Sequence, residues 1–255
     1  MLDNKVVFIA GACGRIGKEL SKQCLENKAC IIISDINEEN LKLLEKDLGK
    51  NSEQILALET DISSKESLNK AINASLKHFS KIDSFVNTTY PYPKHWGKIP
   101  YYEASFEQIC ESLNMHLAAY ILAAQEFIKF FKKQGFGNLI NLSSIMGFKA
   151  PKFENYEGTS MQSPLEYSVI KAGINHLGVW LAKECFKQNI RVNTVSSGGI
   201  KDCQSETFLK AYNKSCASKG MLDASDLCGA ILFLLSDLSK NITGQNLIVD
   251  DGWSL

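Results

Sequence analysis

Short runs of hydrophobic and β-branched residues alternate along this chain with longer stretches whose apolar residues recur at helical spacing. The short runs predict strands at residues 5–10, 29–34, 54–59, 84–87, 138–142, 191–195 and 246–249. Helix starts are marked by capping boxes, predicted at Ser63 with Glu66 and at Ser105 with Gln108. This alternation predicts an α/β protein with a doubly wound parallel sheet between two layers of helices.

Two segments interrupt the alternation, at residues 88–104 and 145–165. Each follows a predicted strand and therefore leaves the carboxyl edge of the sheet, where open α/β folds bind ligands. We interpret both as substrate loops. The chain has no internal repeat, low-complexity tract or linker, so residues 1–255 are predicted to form a single domain.

Composition narrows the range of partners. The formal net charge is zero and no basic run is present, which argues against nucleic acid or an anionic membrane as the main partner. The eight cysteines are scattered without zinc-ligand spacing, so no metal site is predicted. The N-terminus does not read as a signal peptide, and no apolar run reaches the ~18 residues of a membrane span. We expect a soluble, cytoplasmic protein.

The first predicted strand leads into a glycine-rich loop, Gly11-Ala-Cys13-Gly14-Arg15-Ile16-Gly17, which opens a helix. Glycines at these places let the backbone turn tightly and approach a pyrophosphate, which rests on the amide groups of the helix N-terminus. The loop therefore predicts a Rossmann-type dinucleotide site.

Asp35 closes the second predicted strand, about 20 residues after the loop, where a carboxylate accepts hydrogen bonds from ribose hydroxyls. A carboxylate there would repel a ribose phosphate, which favours NAD over NADP. Arg15 would have the opposite effect, because its charge could neutralise that phosphate. A structural alternative for Asp35 is that it caps the following helix.

Tyr167 and Lys171 stand four residues apart, downstream of the serine pair Ser143 and Ser144. On a helix they share one face, so the lysine ammonium could favour ionisation of the phenol and make it a proton donor or acceptor. A tyrosine and a lysine also meet at this spacing by chance on solvated helices. The glycine loop and the serines favour the catalytic interpretation.

Taken in order, these residues together with Asp61, Ile62, Asn87, Asn114 and the run Arg191-Val-Asn193 resemble the short-chain dehydrogenase/reductase family over essentially the whole chain. That resemblance implies a hydride transfer between a nicotinamide cofactor and a secondary alcohol or ketone. Ser144 would hydrogen-bond the reacting oxygen, and Tyr167 would be the acid/base. Lys171 would bind the nicotinamide ribose and lower the pKa of Tyr167, and Asn114 would hold a water of the proton relay.

The resemblance also implies a set of cofactor contacts. The residues in this set are Gly11, Cys13, Gly14, Arg15, Ile16, Gly17, Asp35, Ile36, Asp61, Ile62, Asn87, Tyr167, Lys171 and Ile200. The family commonly forms homodimers or homotetramers. Apolar positions on the helices at 105–134 and 165–188 exceed those of one core stripe, and we expect them to bury a second face. They are Ala118, Ala119, Ala123, Ala124, Ile174, Leu177 and Leu181. We expect His116 and His176 to have packing or interface roles.

Several features depart from the usual family pattern. The glycines are spaced Gly-x-x-Gly-x-x-Gly, Thr88-Thr89 stands where Ala-Gly is customary, and Ser144 and Tyr167 are 23 residues apart, a longer gap than usual. The amino-acid sequence of the long loop resembles that of the oxidoreductases of flagellin-glycosylation and nonulosonic (legionaminic) acid sugar pathways. That closer resemblance implies a sugar phosphate or nucleotide-linked sugar as substrate.

Two other functions remain open on the sequence alone. One is an NADPH-dependent reductase of carbonyls or acyl carriers, which Asp35 disfavours. The other is a dinucleotide-binding sensor or scaffold without turnover, which the complete set of reactive residues disfavours.

Overall fold

The structure is a computed structural model that describes residues 1–49 and 53–255. Within these ranges, parallel strands form one sheet. They are β1 (Val6–Ala10), β2 (Cys30–Asp35), β3 (Ile55–Glu59), β4 (Ser84–Asn87), β5 (Gly137–Ser144), β6 (Ile190–Ser197) and β7 (Asn246–Val249). Their order across the sheet is β3-β2-β1-β4-β5-β6-β7. This confirms the predicted Rossmann-type, doubly wound, three-layer α/β/α fold.

Helices cover both faces of the sheet. They are α1 (Arg15–Glu26), α2 (Glu38–Asp47), α3 (Lys65–Phe79), α4 (Phe106–Leu113), α5 (Ala119–Gln134), α6 (Leu165–Glu184), α7 (Glu206–Asn213) and α8 (Ala224–Leu235). Side chains alternate between the two faces along each strand, so Phe8 packs with α3, α5 and α6 while Val7 and Ile9 pack with α1, α2 and α8. Both faces of the strands are buried, which explains their nearly continuous apolar sequences.

Some boundaries differ from those predicted. β5 and β6 each run on past the predicted end, so that Ser143 pairs with Ser196 and Ser144 with Ser197. Serine has little intrinsic preference for strands, and pairing with the neighbouring strand is what keeps these residues extended. The extension places Ser144 at the carboxyl edge of the sheet.

The helix caps were predicted with mixed success. The capping box of Ser105 with Gln108 is confirmed at the start of α4. The one at Ser63 is wrong, because Ser64 is the N-cap of α3 and accepts a hydrogen bond from the Ser67 amide. The Ser63 hydroxyl instead donates to Asp61, at 2.6 Å. Two adjacent serines are equally good caps in sequence, and only the path of the chain selects one.

Most residues of the predicted second apolar face are buried in the core, whereas Ala118 is exposed and Leu177 partly exposed. Ala119, Ala123, Ala124, Ile174 and Leu181 all lie in the core, at most 7% exposed. The large exposed apolar residues of α5 and α6 are Ile121, Leu165, Val169, Val179 and Trp180, which are 45–57% exposed. The error arose because a helix against a doubly covered sheet buries a wide stripe of small residues.

No helix within residues 1–49 and 53–255 combines the length and the apolar character that crossing a membrane requires. All eight cysteines are free thiols.

An aromatic cluster joins β1, β4 and α5 in the core. Phe85 and Phe127 stack with ring centroids 3.8 Å apart, and Phe8 meets Phe127 edge-on at 5.0 Å. All three side chains are fully buried. The cluster thereby ties α5 to the two strands at the centre of the sheet.

Replacing Phe127 by alanine should lower the free energy of unfolding by about 3–5 kcal/mol, because it leaves a cavity against Phe8 and Phe85. Urea unfolding followed by circular dichroism measures the change. Phe186→Ala is the matched control, since Phe186 is 61% exposed and should lose far less. Equal losses in the two variants would contradict the role given to the cluster.

Candidate active site

The glycine-rich loop lies at the carboxyl ends of β1 and β4, where the strand order reverses. Gly11 has φ of +77°, and a Cβ on it would stand 2.8 Å from the Thr89 amide nitrogen. A Cβ on Gly17 would lie 2.2 Å from the Gly11 carbonyl oxygen. Only glycine is compatible with both approaches, and Gly17 therefore packs α1 against the loop.

The start of α1 suits an anionic ligand. Its N-cap is Gly14, and no side chain caps the first-turn amides. Amides and the positive end of the helix dipole at such a place attract phosphate. The loop can therefore hold a pyrophosphate.

A cavity of about 640 Å³ extends from this loop along the sheet edge. Nine of the predicted cofactor contacts line it: Gly11, Gly14, Arg15, Ile16, Asp35, Ile36, Asp61, Ile62 and Ile200. Residues that the sequence analysis did not assign complete the lining, among them Thr60, Thr88, Thr89, Tyr90 and Met115. With apolar walls, carboxylates at one end and free amides at the loop, these residues fit a nicotinamide dinucleotide.

Cys13 and Asn87, two further residues of the predicted set, are not part of the cavity lining. The Cys13 amide donates to Asp35 at 3.1 Å. Burial, with a further effect of the Asp35 charge, raises the pKa of the Cys13 thiol to about 12. Asn87 is fully buried, and its side-chain oxygen accepts hydrogen bonds from the amide and hydroxyl of Thr89. Thr88 donates its hydroxyl to the Ala10 carbonyl at 2.7 Å. Thr88 thus joins the end of β4 to the start of the glycine loop, and Thr89 bonds back to the end of β4.

Asp35 and Arg15 have separate partners. The Asp35 carboxylate accepts hydrogen bonds from the amides of Cys13 and Asn37 and borders the cavity. It does not cap α2, since Asn37 does so. Arg15 pairs with the Asp202 carboxylate and donates to the Lys201 carbonyl at 3.1 Å. Its guanidinium therefore bridges the glycine loop to the segment after β6.

The structure brings Ser144, Tyr167 and Lys171 together, at the carboxyl end of β5 and in the first turns of α6. The Lys171 amino group donates to the Leu142 carbonyl at 3.2 Å and lies 5.7 Å from the centre of the Tyr167 ring. Ser143 has a different role from its neighbour, because its hydroxyl donates to the Lys171 carbonyl at 3.0 Å and fastens α6 to β5. Ser144 is thereby left as the serine beside Tyr167.

The electrostatics differ from the prediction. Burial raises the pKa of Tyr167, and its hydrogen bond with Ser144 lowers it only in part. Burial lowers the pKa of Lys171 to about 7. The expected lowering of the phenol pKa by the lysine is therefore not found in this structure. Near neutral pH the phenol is protonated, and the lysine is only partly charged.

Asn114 is not brought into this group of residues. Its side chain is exposed, on the outer surface beside Phe106 and Cys110. The residue that faces Lys171 is His116, two positions further along and fully buried. Residues two apart on a helix point in nearly opposite directions, so the two cannot share a face. Nothing in the local sequence marks this difference, because the burial of Ser112, His116 and Ala119 is known only from the fold.

Aromatic side chains of the 88–104 loop cover Tyr167. The rings of Tyr90 and Trp96 lie 5.9 and 6.3 Å from that of Tyr167, both edge-on. The Trp96 indole donates to the Tyr90 hydroxyl at 3.0 Å. These two residues thus form one wall of the space in front of the reactive phenol.

The 145–165 loop is anchored on α7. Tyr156 packs against Phe208 with ring centroids 5.1 Å apart, and the Thr159 hydroxyl donates to the Tyr156 carbonyl at 2.8 Å. Lys152 stands over the Trp253 ring, 4.7 Å from its centroid. The loop is a packed structure at the sheet edge rather than an extended tether.

A doubly wound sheet with a glycine-rich phosphate loop, and a serine, tyrosine and lysine at its carboxyl edge, defines a nicotinamide-dependent oxidoreductase. The family model described as "Enoyl-(Acyl carrier protein) reductase" matches residues 11–254. The chain belongs to the short-chain dehydrogenase/reductase family.

Individual relatives agree with this assignment. "Post-translational flagellin modification protein A" of Campylobacter coli is 65% identical over 256 residues, covering 100% of both chains. A "7alpha-hydroxysteroid dehydrogenase" of Bacteroides fragilis is 26% identical and covers 99% of this chain and 95% of its own. Among solved structures, a short-chain dehydrogenase from Leptospira borgpetersenii with bound NAD+ has a TM-score of 0.86 at 28% identity, covering 100% of this chain and 94% of its own.

Replacing Lys171 by methionine tests how much stability the burial of its amino group costs. A lysine with a pKa of about 7 in the folded state and ~10.4 in the unfolded state binds fewer protons when folded between those values. Its burial thus costs most stability below pH 7, and the cost shrinks as the pH rises towards the unfolded value. The variant should gain stability relative to wild type, by more at about pH 6 than at about pH 9.

Urea unfolding at the two pH values measures this difference. Lys183→Met on the same helix is the control, because Lys183 is exposed and its replacement should show little pH dependence. A Lys171→Met effect that is the same at both pH values would mean that this lysine keeps its charge in the fold.

Proposed function

We propose that the protein transfers hydride between NAD and a secondary alcohol or ketone of a sugar phosphate or nucleotide-linked sugar, in the modification of flagellin. The observation that carries the pathway is the full-length, 65% identical relative named for flagellin modification. The chemistry is supported by the family and by Ser144, Tyr167 and Lys171 beside the cofactor cavity. The protein would act on a small molecule.

When bound, the nicotinamide supplies the hydride acceptor or donor. Tyr167 exchanges the proton with the substrate oxygen, and its protonated phenol near neutral pH suits donation to a carbonyl. Ser144 donates a hydrogen bond to that oxygen and orients it. The Lys171 amino group lies 5.7 Å from the centre of the Tyr167 ring and adds positive charge there when protonated.

NAD is favoured over NADP by the surroundings of the ribose site. The Asp35 carboxylate borders the cavity and would repel a ribose phosphate. Arg15, the residue that would neutralise such a phosphate, is paired with Asp202. The NAD+ bound to the Leptospira relative is consistent with this choice.

A sugar substrate is supported by the aromatic walls of the cleft. Tyr90, Tyr92 and Trp96 are partly exposed aromatic residues of the 88–104 loop, and Tyr90 and Trp96 lie against Tyr167. Flat apolar walls with a few polar groups suit the carbon face of a sugar ring. The 145–165 loop would border the same space from the other side, since it connects Ser144 to Tyr167.

We also infer a homodimer or homotetramer. Leu165, Val169, Val179 and Trp180 are exposed apolar residues of α6, and Ile121 is exposed on α5. Exposed apolar surface of this kind is typical of an interface between subunits.

A second candidate is an NADPH-dependent reductase of acyl carriers or other carbonyls. It is favoured by the description of the matching family model. The same residues would perform the chemistry, so cofactor and substrate preference distinguish the two candidates.

The decisive experiment offers the purified protein NAD or NADH with a panel of phosphorylated and nucleotide-linked sugars, and follows nicotinamide absorbance. We expect turnover with a member of the panel and a ~100-fold or greater loss in Tyr167→Phe, because proton transfer to or from the substrate oxygen is removed. NADH binding, followed by fluorescence, should stay near wild type in the variant. Turnover of acyl thioesters with NADPH instead would favour the second candidate, and NADH binding without any turnover would favour a sensor.

Cofactor preference is tested at Asp35. The wild-type protein should bind NADH more tightly than NADPH. Asp35→Asn should reduce the difference between the two affinities, because the charge that repels the ribose phosphate is gone. Asp47→Asn, which removes an exposed carboxylate at the end of α2, is the control and should leave the ratio unchanged. A wild-type preference for NADPH would show that Arg15 dominates the site.

A further inference from the structure

The segment between α4 and α5 is wound differently from its neighbours. Residues Asn114–Ala118 form a π-helical turn, whereas the flanking segments are α-helical. Such turns insert an extra residue, change which side chains face inward, and occur often at functional sites. Here the turn leaves Asn114 on the surface and carries His116 inward, fully buried.

His116 lies among groups of the candidate active site. Its Nε2 is 3.4 Å from the Lys171 amino nitrogen. The ring meets that of Tyr90 edge-on at 5.3 Å and is tilted against that of Tyr120 at 5.4 Å. Its Nδ1 is buried and has no hydrogen-bond partner within the described ranges. The titratable groups facing this histidine are therefore Lys171, Tyr90 and Tyr120, with Tyr167 on the far side of Lys171.

The donor and acceptor roles of this contact follow from the chemistry of the two groups. A protonated lysine has only donors, and one of those on Lys171 is directed at the Leu142 carbonyl. While Lys171 is protonated, its contact with Nε2 is attractive only if Nε2 is an acceptor, which places the imidazole proton on Nδ1. Burial, and next the Lys171 charge, lowers the pKa of His116 to about 2, so the ring is neutral at working pH.

We propose that His116 is a positioning residue for proton transfer, because its Nε2 accepts a hydrogen bond from Lys171 and holds that amino group between the Leu142 carbonyl and Tyr167. This inference rests on the proposed function, in which Tyr167 and Lys171 carry the chemistry. The Tyr120 hydroxyl strengthens the arrangement from the next turn, since it donates to the Thr89 carbonyl at 2.8 Å and lies 3.4 Å from that of Leu142.

His116→Phe is the first test, since it keeps a ring between Tyr90 and Tyr120 but removes both nitrogens. We expect kcat to fall about 10-fold or more, because Lys171 loses one of the contacts that fix its position. The NADH dissociation constant should change little. A hydrogen bond to the charged lysine favours that form, so its loss should move the alkaline limb of the kcat profile to lower pH.

His116→Gln is the conservative variant, because its amide oxygen can reach the place of Nε2. It should recover most of the kcat and the wild-type pH profile. His78→Phe, at an exposed histidine on α3, is the control for a histidine-to-phenylalanine change and should leave both unchanged.

A measurement that needs no turnover is the tautomer of His116 in ¹⁵N-histidine-labelled protein, assigned by comparison with His116→Gln. The Nδ1–H form is expected, and Lys171→Met should release this preference. An Nε2–H tautomer in the wild type, or a wild-type kcat and pH profile in His116→Phe, would overturn the proposal. If Tyr167→Phe also remained active, the failure would lie in the proposed function; if Tyr167→Phe were inactive, it would lie with His116 alone.

Discussion

The amino group of Lys171 enters the interior of the protein, where the side chain is only 4% exposed. A buried ammonium is costly unless polar groups surround it, and these come from separate parts of the chain. β5 supplies the Leu142 carbonyl and the turn before α5 supplies His116. Tyr167 lies on α6, one turn before Lys171. Meeting this requirement fixes the relative positions of β5, α5 and α6, and with them the positions of the reactive groups.

The glycine loop depends on the same edge of the sheet. Gly11 can approach Thr89 closely only because it lacks a side chain, and the Thr88 hydroxyl then bonds to the Ala10 and Gly11 carbonyls. Threonine thus takes the place of the customary Ala-Gly without disturbing the turn. The cavity and Tyr167 consequently share one frame, the carboxyl ends of β1, β4 and β5.

Much of the site could be predicted because the signals were local. The glycine loop needs a short sequence at the end of a strand, and Tyr167 and Lys171 need only helical spacing to share a face. Half of the residues lining the cavity, Gly11 and Ile200 among them, were named in advance through the family resemblance. The prediction for Asn114 failed because a π turn changes which side chains of the helix point inward. Nothing in the local sequence marks that turn.

The sequence by itself determined the α/β alternation, the phosphate-binding loop, the carboxylate at the end of β2 and the pairing of a tyrosine with a lysine on one helix. These follow from periodicity and from the geometry of neighbouring residues. Only the tertiary structure decided that His116 rather than Asn114 faces Lys171, that Ser143 fastens α6 while Ser144 meets Tyr167, and that burial raises the pKa of Tyr167. The physical reason is that desolvation and side-chain facing depend on what packs around a group, and those neighbours are distant in sequence.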